Sequence, residues 1–400
     1  MEKLSTTIRD YAWGSTTSMA ELFGREASGS PEAEMWIGAH PGAPSVLEPS
    51  GLPLNAAIAA DPAGTLGAEV AARYGRLPYL LKILAAAAPL SLQVHPTLEQ
   101  AAAGFALEEA NGPEIDAPDR NYKDDQHKPE MIVALTAFEA LSGFRVPANA
   151  AGAFDWLAGA VQEPSAAAVA QNLAAALRAG DLAPAVALLL GDGEDVRRLA
   201  TLAARAVDAS PEEAAAADAS LGLLPRLAGF YPGDTGVLLA LMLNLVSLRP
   251  GQAMSLPAGN IHAYLHGTGV EIMANSDNVL RGGLTPKHVD VAELLKVVRF
   301  EATEPHAVEP EPIADGLAVY RSGFAEFDLG LLTHAPAPVT LPAGGPCAVV
   351  VISGSLVLRA GGDELTLGPG ESAFLEAGDA PVLAEGDEAL EAYVAFTPGA

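Results

Sequence analysis

Short apolar blocks separated by turn residues dominate residues 1–147 of the chain. Blocks of this kind lie at residues 79–84, 90–95 and 131–135, and Gly and Pro are frequent between them. Short apolar runs bounded by turn residues are typical of buried strands. The pattern therefore predicts that this region consists mostly of strands and turns.

The pattern changes to a helical period between residues 148 and 245. Apolar residues recur there at helical spacing within Ala-rich segments. Three segments have this spacing: 165–179, 196–207 and 214–224. Asp181 and Ser210, the second followed by Pro, are residue types that favour helix starts. We therefore expect a helical insertion here.

The remaining residues return to strand-like patterns. Strands are expected at 253–256, 261–265 and 269–274, followed by a short helix at 290–298. In the last hundred residues apolar blocks alternate with Gly and Pro turns, which predicts four strands: 348–352, 354–359, 364–367 and 372–375. The last histidine is His334, so no histidine-based metal site is expected in these strands.

Together these patterns predict a mainly β chain with an α-helical insertion, divided into three domains. Two Ser- and Gly-containing turn motifs within residues 353–372 resemble half of a cupin barrel. A cupin-type β-barrel or jelly-roll catalytic domain is expected from residues 1–147 together with 246–299. The other two would be an all-helical domain at 148–245 and a degenerate cupin-like β domain at 300–400.

The composition is that of a globular protein, and the charge is strongly negative. Half of the 400 residues are apolar, 18% are charged, and the formal net charge is −28. A chain this acidic repels nucleic acid and anionic membranes at long range, so neither is expected as a partner. Screening limits that field to about 10 Å at ordinary salt, so a local cluster of cations can still bind an anion inside a cleft.

The cysteine content and the N-terminal sequence indicate a reducing compartment, and we expect a soluble, cytoplasmic monomer. Cys347 is the only cysteine, which excludes an intrachain disulfide and a thiolate cluster. Residues 1–6 lack the apolar segment of a secretory signal. The longest apolar stretch, near 237–248, is too short to span a bilayer.

Gln93 and His95 are the first candidates for chemistry. They follow an apolar run and stand two positions apart, so on an extended strand both side chains project from one face. Pro96 ends the strand directly after His95, which places the imidazole near a rim rather than in a core. Taken alone, the pair is as consistent with a hydrogen-bonded strand end as with a metal site.

Glu130 and His262 would complete a set of four ligands. Glu130 precedes the apolar run 131–135, where a carboxylate needs a partner such as a metal ion, although an isolated acid would ordinarily be solvated. His262 follows a Pro-Ala-Gly-Asn turn and is either a surface residue or the start of a strand that enters a barrel. Two nitrogen and two oxygen ligands suit a catalytic divalent ion; zinc fits best, with cobalt or manganese as alternatives.

Residues 271–287 are unusually rich in polar groups for a segment between apolar runs. They include a guanidinium at Arg281 followed by Gly282 and Gly283, and glycine lets backbone come close to a ligand. A charged surface loop is the alternative interpretation. In so acidic a chain the cations near the ligand motifs are informative: Lys82, Lys128, Arg281 and Lys287.

These segments resemble the type I phosphomannose isomerase family. The matching motifs, in chain order, are Tyr11-Ala12-Trp13-Gly14, Glu34-Met35-Trp36-Ile37-Gly38-Ala39-His40-Pro41, Leu81-Lys82-Ile83-Leu84, Ser91-Leu92-Gln93-Val94-His95-Pro96, Asn121-Tyr122-Lys123-Asp124, His127-Lys128-Pro129-Glu130 and the segment 257–287. The resemblance is close over residues 1–300, whereas the last hundred residues resemble the family only in their general pattern. It implies that mannose 6-phosphate and fructose 6-phosphate are interconverted through an enediol or enediolate, in carbohydrate metabolism that supplies nucleotide sugars such as GDP-mannose.

The resemblance also implies roles for individual residues. One zinc ion per chain would be held by Gln93, His95, Glu130 and His262, and Arg281 would be catalytic. The pocket would contain seven further residues: Ser91, Lys82, Lys128, Glu271, Asp277, Tyr264 and Lys287.

Several assignments within this reaction stay open. Arg281 would either stabilise the enediolate oxygen or hold the phosphate, and the resemblance favours the first role. The phosphate would be bound by Ser91 and Lys82, with Lys287 or Lys128 as further candidates. The proton that moves between C1 and C2 has several candidate carriers: Lys128, Glu271, Asp277, His262 and zinc-bound water.

Two other functions compete with this interpretation. A cupin-type iron oxygenase would use two histidines and one carboxylate, and the Gln93 amide with the nearby Lys and Arg residues argues against it. A non-catalytic sugar-phosphate-binding protein would suit a degenerate cupin, but all four candidate ligands are present here.

Overall fold

Three antiparallel sheets and thirteen α-helices make up the part of the chain that the structure describes. The structure is a computed structural model, and it describes residues 1–48, 50–191, 193–334 and 337–399. The helices occupy about as much of the chain as the strands do. The expectation of a mainly β chain is therefore corrected to a mixed chain of helices and antiparallel sheets.

An eleven-stranded sheet carries the candidate ligands. Its strands are Thr7–Arg9, Glu34–Ile37, Tyr79–Ala86, Gln93–Val94, Glu130–Ala134, Phe138–Phe144, Leu243–Leu248, Ala253–Leu256, His262–Ala274, Leu280–Arg281 and His306–Val308. The central strand is His262–Ala274. Its first half pairs with Phe138–Phe144, and its second half lies between Tyr79–Ala86 and Glu130–Ala134. Gly267 lies at this change of partners with φ of +122°, where a Cβ would lie 2.7 Å from a neighbouring backbone oxygen, so only glycine fits.

Two further sheets are built mostly from the C-terminal region. The nine-stranded sheet contains Glu2–Ser5, Val46–Leu47, Leu52–Pro53, Pro310–Ala314, Leu317–Tyr320, Asp328–Thr333, Cys347–Ser353, Ser372–Leu375 and Glu391–Phe396. The four-stranded sheet contains Val339–Thr340, Leu356–Ala360, Asp363–Leu367 and Leu383–Gly386. The N-terminal strand Glu2–Ser5 pairs with Ser372–Leu375, so the two ends of the chain share a sheet. The three-domain division and the cupin-like nature of the β regions stay predictions.

The helices form three groups along the chain. The first group is Ser18–Leu22, Leu54–Ala60, Pro62–Leu66, Ala68–Tyr74 and Leu98–Asn111. The second, which we call the helical segment, is Pro147–Ala160, Pro164–Ala179, Leu182–Leu190, Glu194–Ala209, Pro211–Ala217, Leu223–Phe230 and Gly236–Leu239, with 3₁₀ turns at Ala219–Gly222 and Ala240–Met242. The third is Val291–Val297 alone. None of the helices that the structure describes is long and apolar enough to cross a membrane.

The buried face of the helix Glu194–Ala209 shows why the helical segment forms. Its buried residues recur at helical spacing: Val196, Leu199, Ala200, Ala203, Ala204 and Val207. They belong to an apolar core that also includes Leu92 and Val94, which flank Gln93 in the sheet. Packing of the helices therefore supports the strand that carries a predicted ligand.

The prediction of mostly strands and turns for residues 1–147 is wrong in part, because five helices lie there. The helices between 54 and 74 are short and separated by Asp-Pro and Gly, a pattern that is also typical of turns. The helix Leu98–Asn111 is largely exposed, so it has little apolar periodicity. It begins with a capping box formed by Thr97 and Gln100, and this spacing was the available indication of a helix.

Some predicted strand boundaries also differ from the structure. Of the strand predicted at 90–95, only Gln93–Val94 pairs in a sheet. The strands predicted at 261–265 and 269–274 form one continuous strand, because Gly267 allows it to bend without ending. The strands and the helix predicted after residue 252 otherwise lie within a few residues of their expected bounds.

The helical segment follows the prediction with one interruption. The helix predicted at 214–224 breaks at Asp218, because the Asp218 side chain accepts a hydrogen bond from the Ser220 N–H and starts a 3₁₀ turn. The helix starts predicted at Asp181 and Ser210 are confirmed, since a helix begins directly after each.

Candidate metal centre

Strand ends bring the predicted ligands together in the eleven-stranded sheet. His95 directly follows the short strand that begins at Gln93, while Glu130 and His262 are each the first residue of a strand. Gln93 pairs with His262 on one side and with Arg281 on the other. Because directly opposite residues of neighbouring strands project to the same face, the register directs these three side chains the same way.

Two imidazoles and one carboxylate converge at this place. Glu130 Oε1 lies 3.3 Å from His95 Nε2, and Glu130 Oε2 lies 3.2 Å from His262 Nε2. All three side chains are buried. One ligand atom from each lies within 4.8 Å of the others, so the group has the size to surround a single ion.

Backbone carbonyl groups fix the tautomer of both histidines. His95 Nδ1 lies 2.7 Å from the Asn278 carbonyl oxygen, and His262 Nδ1 lies 2.9 Å from the Asn260 carbonyl oxygen. A carbonyl oxygen only accepts, so each Nδ1 carries a proton, and in the neutral ring Nε2 then presents its lone pair to Glu130. Burial lowers the pKa of His95 to about 4, which keeps that ring neutral.

Three buried acceptors therefore face one another with no hydrogen between them. His95 Nε2, His262 Nε2 and Glu130 Oε2 have no hydrogen-bond partner in the part of the chain that the structure describes. Unpaired buried acceptors are costly, and one divalent cation would satisfy all three. Neutral imidazoles whose second nitrogen donates to a carbonyl, combined with a carboxylate, are ligands typical of zinc. The donor set therefore fits the predicted ion.

Lys128 lies beside the carboxylate. Its Nζ is 3.0 Å from Glu130 Oε1. Burial alone would raise the pKa of Glu130, but the Lys128 ammonium holds that pKa well below its usual value. The carboxyl group is therefore ionised and able to bind a cation.

A cavity of about 590 Å³ opens beside this centre, a volume in the usual range for small-molecule sites. His95 and His262 lie behind Glu130, away from the cavity surface. The other ten predicted site residues line the cavity: Gln93, Glu130, Ser91, Lys82, Lys128, Tyr264, Glu271, Asp277, Arg281 and Lys287. The structure thus brings all the predicted residues to one site, while the role of each stays a prediction.

A buried group of charges forms one wall of the cavity. Lys82 pairs with Glu271 and Trp36 across three adjacent strands. Its Nζ lies 2.9 Å from Glu271 Oε2 and 3.6 Å from Glu34 Oε1. Burial alone would lower the pKa of Lys82, but the two carboxylates raise it above its usual value. For Glu271, burial is the main cause of a raised pKa. One ammonium shared by two carboxylates leaves Glu271 able to hold a proton.

Arg281 and Lys287 supply free positive charge to the cavity. In the described ranges, neither side chain has an ion pair or a hydrogen bond. Burial lowers the pKa of both, and the Arg281 charge lowers that of Lys287 further. In a chain with a net charge of −28, two such cations near each other suit an anionic ligand.

The helical segment holds the loop that follows Arg281. Asp234 accepts hydrogen bonds from the N–H groups of Gly236 and Thr285, at 2.7 and 3.1 Å. A Cβ on Gly283, where φ is +119°, would lie 2.7 Å from the Cα of Gly236. Glycine at both positions therefore allows the two backbones to come into direct contact.

Several cavity residues have no role assigned from the sequence: Tyr11, Trp13, Glu34, Trp36, His40, Phe230 and Tyr231. Glu34 and Trp36 stand two apart on a strand, which places both on one face, and this spacing was an available indication. Phe230 and Tyr231 stand at the end of a helix in the helical segment. Their local sequence contains nothing that would place them at a cavity formed by distant strands.

The fold and the site define a class of protein. An antiparallel sheet holds a buried centre of two histidines and one carboxylate, suited to a divalent metal ion, beside a cavity that several charged side chains line. The sequence motifs resemble those of one family within this class.

The chain belongs to the type I phosphomannose isomerase family. Residues 1–147 match the family model described as phosphomannose isomerase type I, catalytic domain. The mannose-6-phosphate isomerase of Escherichia coli K12 is 37% identical over 398 residues, which cover 96% of this chain and 97% of that protein. Mannose-6-phosphate isomerase 1 of Arabidopsis thaliana is 30% identical and covers 92% of this chain and 88% of its own. The resemblance is confirmed.

Solved structures agree with this membership. The crystal structure of an alanine variant of phosphomannose isomerase from Salmonella typhimurium superposes with a TM-score of 0.90 at 36% identity and covers 99% of both chains. A crystal structure of mannose 6-phosphate isomerase bound with zinc and yttrium has a TM-score of 0.89 at 36% identity, again with 99% of both chains covered. The zinc in that neighbour agrees with the zinc-type donor set found here.

Proposed function

We propose that this chain is a zinc-dependent isomerase that interconverts mannose 6-phosphate and fructose 6-phosphate through an enediolate. One observation carries the proposal. The ligand atoms of His95, Glu130 and His262 face one another, buried and unpartnered within the described residues, beside a cavity that also offers free cations. The substrate follows from the family, since the relatives from Escherichia coli and Arabidopsis thaliana are named mannose-6-phosphate isomerases.

We assign the metal to His95, Glu130 and His262, with Gln93 as the fourth ligand. The support for Gln93 is its pairing with His262 in the sheet and its place on the cavity wall. Bound there, zinc would act as a Lewis acid on the oxygen atoms of the sugar. The carbonyl groups behind the two imidazoles keep both lone pairs directed at the ion.

The phosphate group would be bound by Lys287 and Ser91. Both line the cavity, and Lys287 has no acidic partner among the residues described. Lys82 is less suited to this role than the sequence suggests, because two carboxylates already surround its ammonium. A dianionic phosphate needs a free cation in order to gain from an ion pair.

Arg281 would stabilise the enediolate. Its guanidinium stays charged at any physiological pH, and its side chain is free of carboxylate partners in the described ranges. Negative charge that develops on the C1–C2 oxygens would therefore meet a fixed donor in a partly desolvated site. Tyr264 would add a hydroxyl group, since burial, together with Glu271 and Glu130, raises its pKa well above the usual value and keeps it protonated.

The proton would move between C1 and C2 through Glu271 or Lys128. Lys82 donates a hydrogen bond to Glu271 at 2.9 Å, which holds that carboxylate in a fixed orientation at the cavity wall. Lys128 lies on the same cavity next to the metal ligand Glu130. Two variants, Glu271→Gln and Lys128→Met, identify the group that carries the proton. In each variant, substrate binding and the exchange of the substrate proton with solvent are measured. The variant that binds substrate but no longer exchanges the proton has lost the proton-carrying side chain.

The experiment for the overall proposal is metal removal and restoration in a coupled assay on mannose 6-phosphate. We expect turnover to disappear when a chelator removes zinc and to return when zinc, but not magnesium, is added back. Circular dichroism of the metal-free protein serves as the control for folding. Full turnover in a rigorously metal-free preparation would overturn the zinc dependence, and no turnover in the zinc-loaded protein would overturn the substrate assignment.

The enediolate has its own test in heavy water. Starting from fructose 6-phosphate, transfer through an enediolate with an exchanging base should place solvent deuterium at C2 of the mannose 6-phosphate formed. Complete retention of the original hydrogen over many turnovers would instead indicate a hydride shift and would contradict this step.

A further inference from the structure

The side chain of His40 is buried between the strand Glu34–Ile37 and the cavity. The N–H of Gly42 donates a hydrogen bond to His40 Nδ1 at 3.1 Å, so Nδ1 acts as an acceptor. In a neutral imidazole the proton must then lie on Nε2. That nitrogen lies 3.3 Å from Asp277 Oδ1, and the Trp36 ring packs edge-on with ring centroids 4.8 Å apart. His40 therefore has a single donor, and that donor lies beside Asp277.

Asp277 is also held from its backbone. Its N–H donates to Asp124 Oδ2 at 2.9 Å, and the Asp124 carboxylate also accepts from Ser276 Oγ at 2.8 Å. The Asp277 side chain lines the cavity and is 54% exposed. Within the residues described, its second carboxylate oxygen has no hydrogen-bond partner. One carboxylate oxygen therefore contacts His40, and the other has no protein partner among the described residues.

We propose that His40 is a positioning residue for the isomerase reaction: it contacts one carboxylate oxygen of Asp277 and thereby presents the other to the sugar hydroxyl groups as a hydrogen-bond acceptor. The inference rests on the proposed function, because only a sugar in the cavity gives that oxygen a partner. His40 itself acts through Asp277.

The charge state of Asp277 agrees with an acceptor role. Burial opposes ionisation, but the hydrogen bond from His40 lowers the pKa of Asp277 below its usual value. The Lys128 and Lys82 ammonium groups also lower this pKa. Without His40, the carboxyl group should become protonated at a higher pH and should lose its fixed orientation.

Two amide substitutions of His40 form a matched test. Glutamine places its NH₂ group near the position of Nε2 and can still reach Asp277. Asparagine reaches only the position of Nδ1 and can contact Gly42 alone. We expect His40→Asn to lower kcat/KM roughly 10- to 100-fold, the size of effect that misplacing a reacting group produces. The acidic limb of its pH profile should move to higher pH, and His40→Gln should recover most of both properties at unchanged zinc content.

A double-mutant cycle separates positioning from a general packing effect. In an Asp277→Asn background, His40→Asn should have almost no further effect on kcat/KM, because the group through which it acts is gone. An equal loss in both backgrounds, or an unmoved acidic limb, would overturn the inference. If the wild type fails to convert mannose 6-phosphate, the proposed function fails instead. In that case carboxyl ¹³C NMR still tests the role of His40, because it measures the pKa of Asp277 without turnover. The same pKa in His40→Asn and in the wild type would overturn that role.

Discussion

Replacing Glu130 by glutamine changes the charge of the metal centre while keeping its shape. Glu130 Oε2 is unpartnered among the described residues and lies 3.2 Å from His262 Nε2. An amide nitrogen there would donate to the imidazole lone pair, and the amide oxygen could still accept from Lys128, which lies 3.0 Å from Oε1. The metal-free variant gains a hydrogen bond worth about 1 kcal/mol but loses the counterion of Lys128. Because Lys128 lines the cavity, water can solvate its ammonium when the counterion is lost, so we expect the metal-free thermal stability to stay close to that of the wild type.

Zinc binding by Glu130→Gln should fall much further than its stability. The carboxylate is the anionic member of the group formed with His95 and His262. Removing one partner of a buried charge pair costs about 3–5 kcal/mol. Since about 1.4 kcal/mol corresponds to a factor of ten in affinity, the Kd for zinc should rise roughly 100- to 3,000-fold.

Competition against a chromophoric zinc chelator measures this change for Glu130→Gln. Glu364→Gln, on an exposed strand position of the four-stranded sheet, is the matched control and should bind zinc like the wild type. A wild-type Kd in Glu130→Gln would show that the carboxylate is no ligand. A metal-free Glu130→Gln that melts far below the metal-free wild type would show that the group serves the fold instead.

Three further substitutions test other parts of the molecule. Gly283→Ala puts a Cβ 2.7 Å from the Cα of Gly236 at a φ of +119°. The substitution should therefore lower the free energy of unfolding by about 1–3 kcal/mol and raise KM. A denaturation curve and a KM that both equal those of the wild type would contradict this. Asp218→Asn weakens an ion pair with Arg145, whose Nη2 lies 2.7 Å from Asp218 Oδ2. Burial alone would raise the pKa of Asp218, but the hydrogen bond from Arg145 lowers it below the usual 3.8. The ion pair therefore stabilises the fold fully above pH 3.8, and this stabilisation is lost as the pH falls through the lower pKa of the folded state. Chemical denaturation should show a loss of about 1.5–3 kcal/mol at neutral pH that vanishes in strong acid, and an equal loss at both would refute the linkage. Lys82→Met removes the ammonium that two buried carboxylates share. It should lower kcat/KM by roughly 100-fold or more, while metal analysis should find the same zinc content as in the wild type. Undiminished turnover would remove Lys82 from the mechanism.

The metal centre could be predicted from the sequence because its members carry local indications. Of the predicted ligands, Gln93 begins a short strand, His95 directly follows that strand, and Glu130 stands directly before a buried run. The order of these motifs along the chain matches the family, and that match identifies His262, which has weak local indications of its own. The geometry that directs the lone pairs comes from backbone carbonyl groups and needs the fold.

Other features could not be predicted because they depend on contacts between distant segments. The contact between His40 and Asp277 joins two loops that have no common sequence pattern. The approach of Tyr231 to the cavity depends on how a helix ends against Pro89, whose carbonyl oxygen accepts from the Tyr231 hydroxyl at 2.6 Å. Short helices in the N-terminal third were missed because their Pro and Gly residues also suit turns.

The contact between Asp234 and the loop at Thr285 has a consequence for protein engineering. A smaller catalyst cannot be made simply by deleting residues 147–242 and joining the strands on either side. The loop that carries Lys287 would lose the carboxylate that bonds its backbone, and the cavity would lose Tyr231. Any shortened design would have to rebuild both supports within the sheet itself.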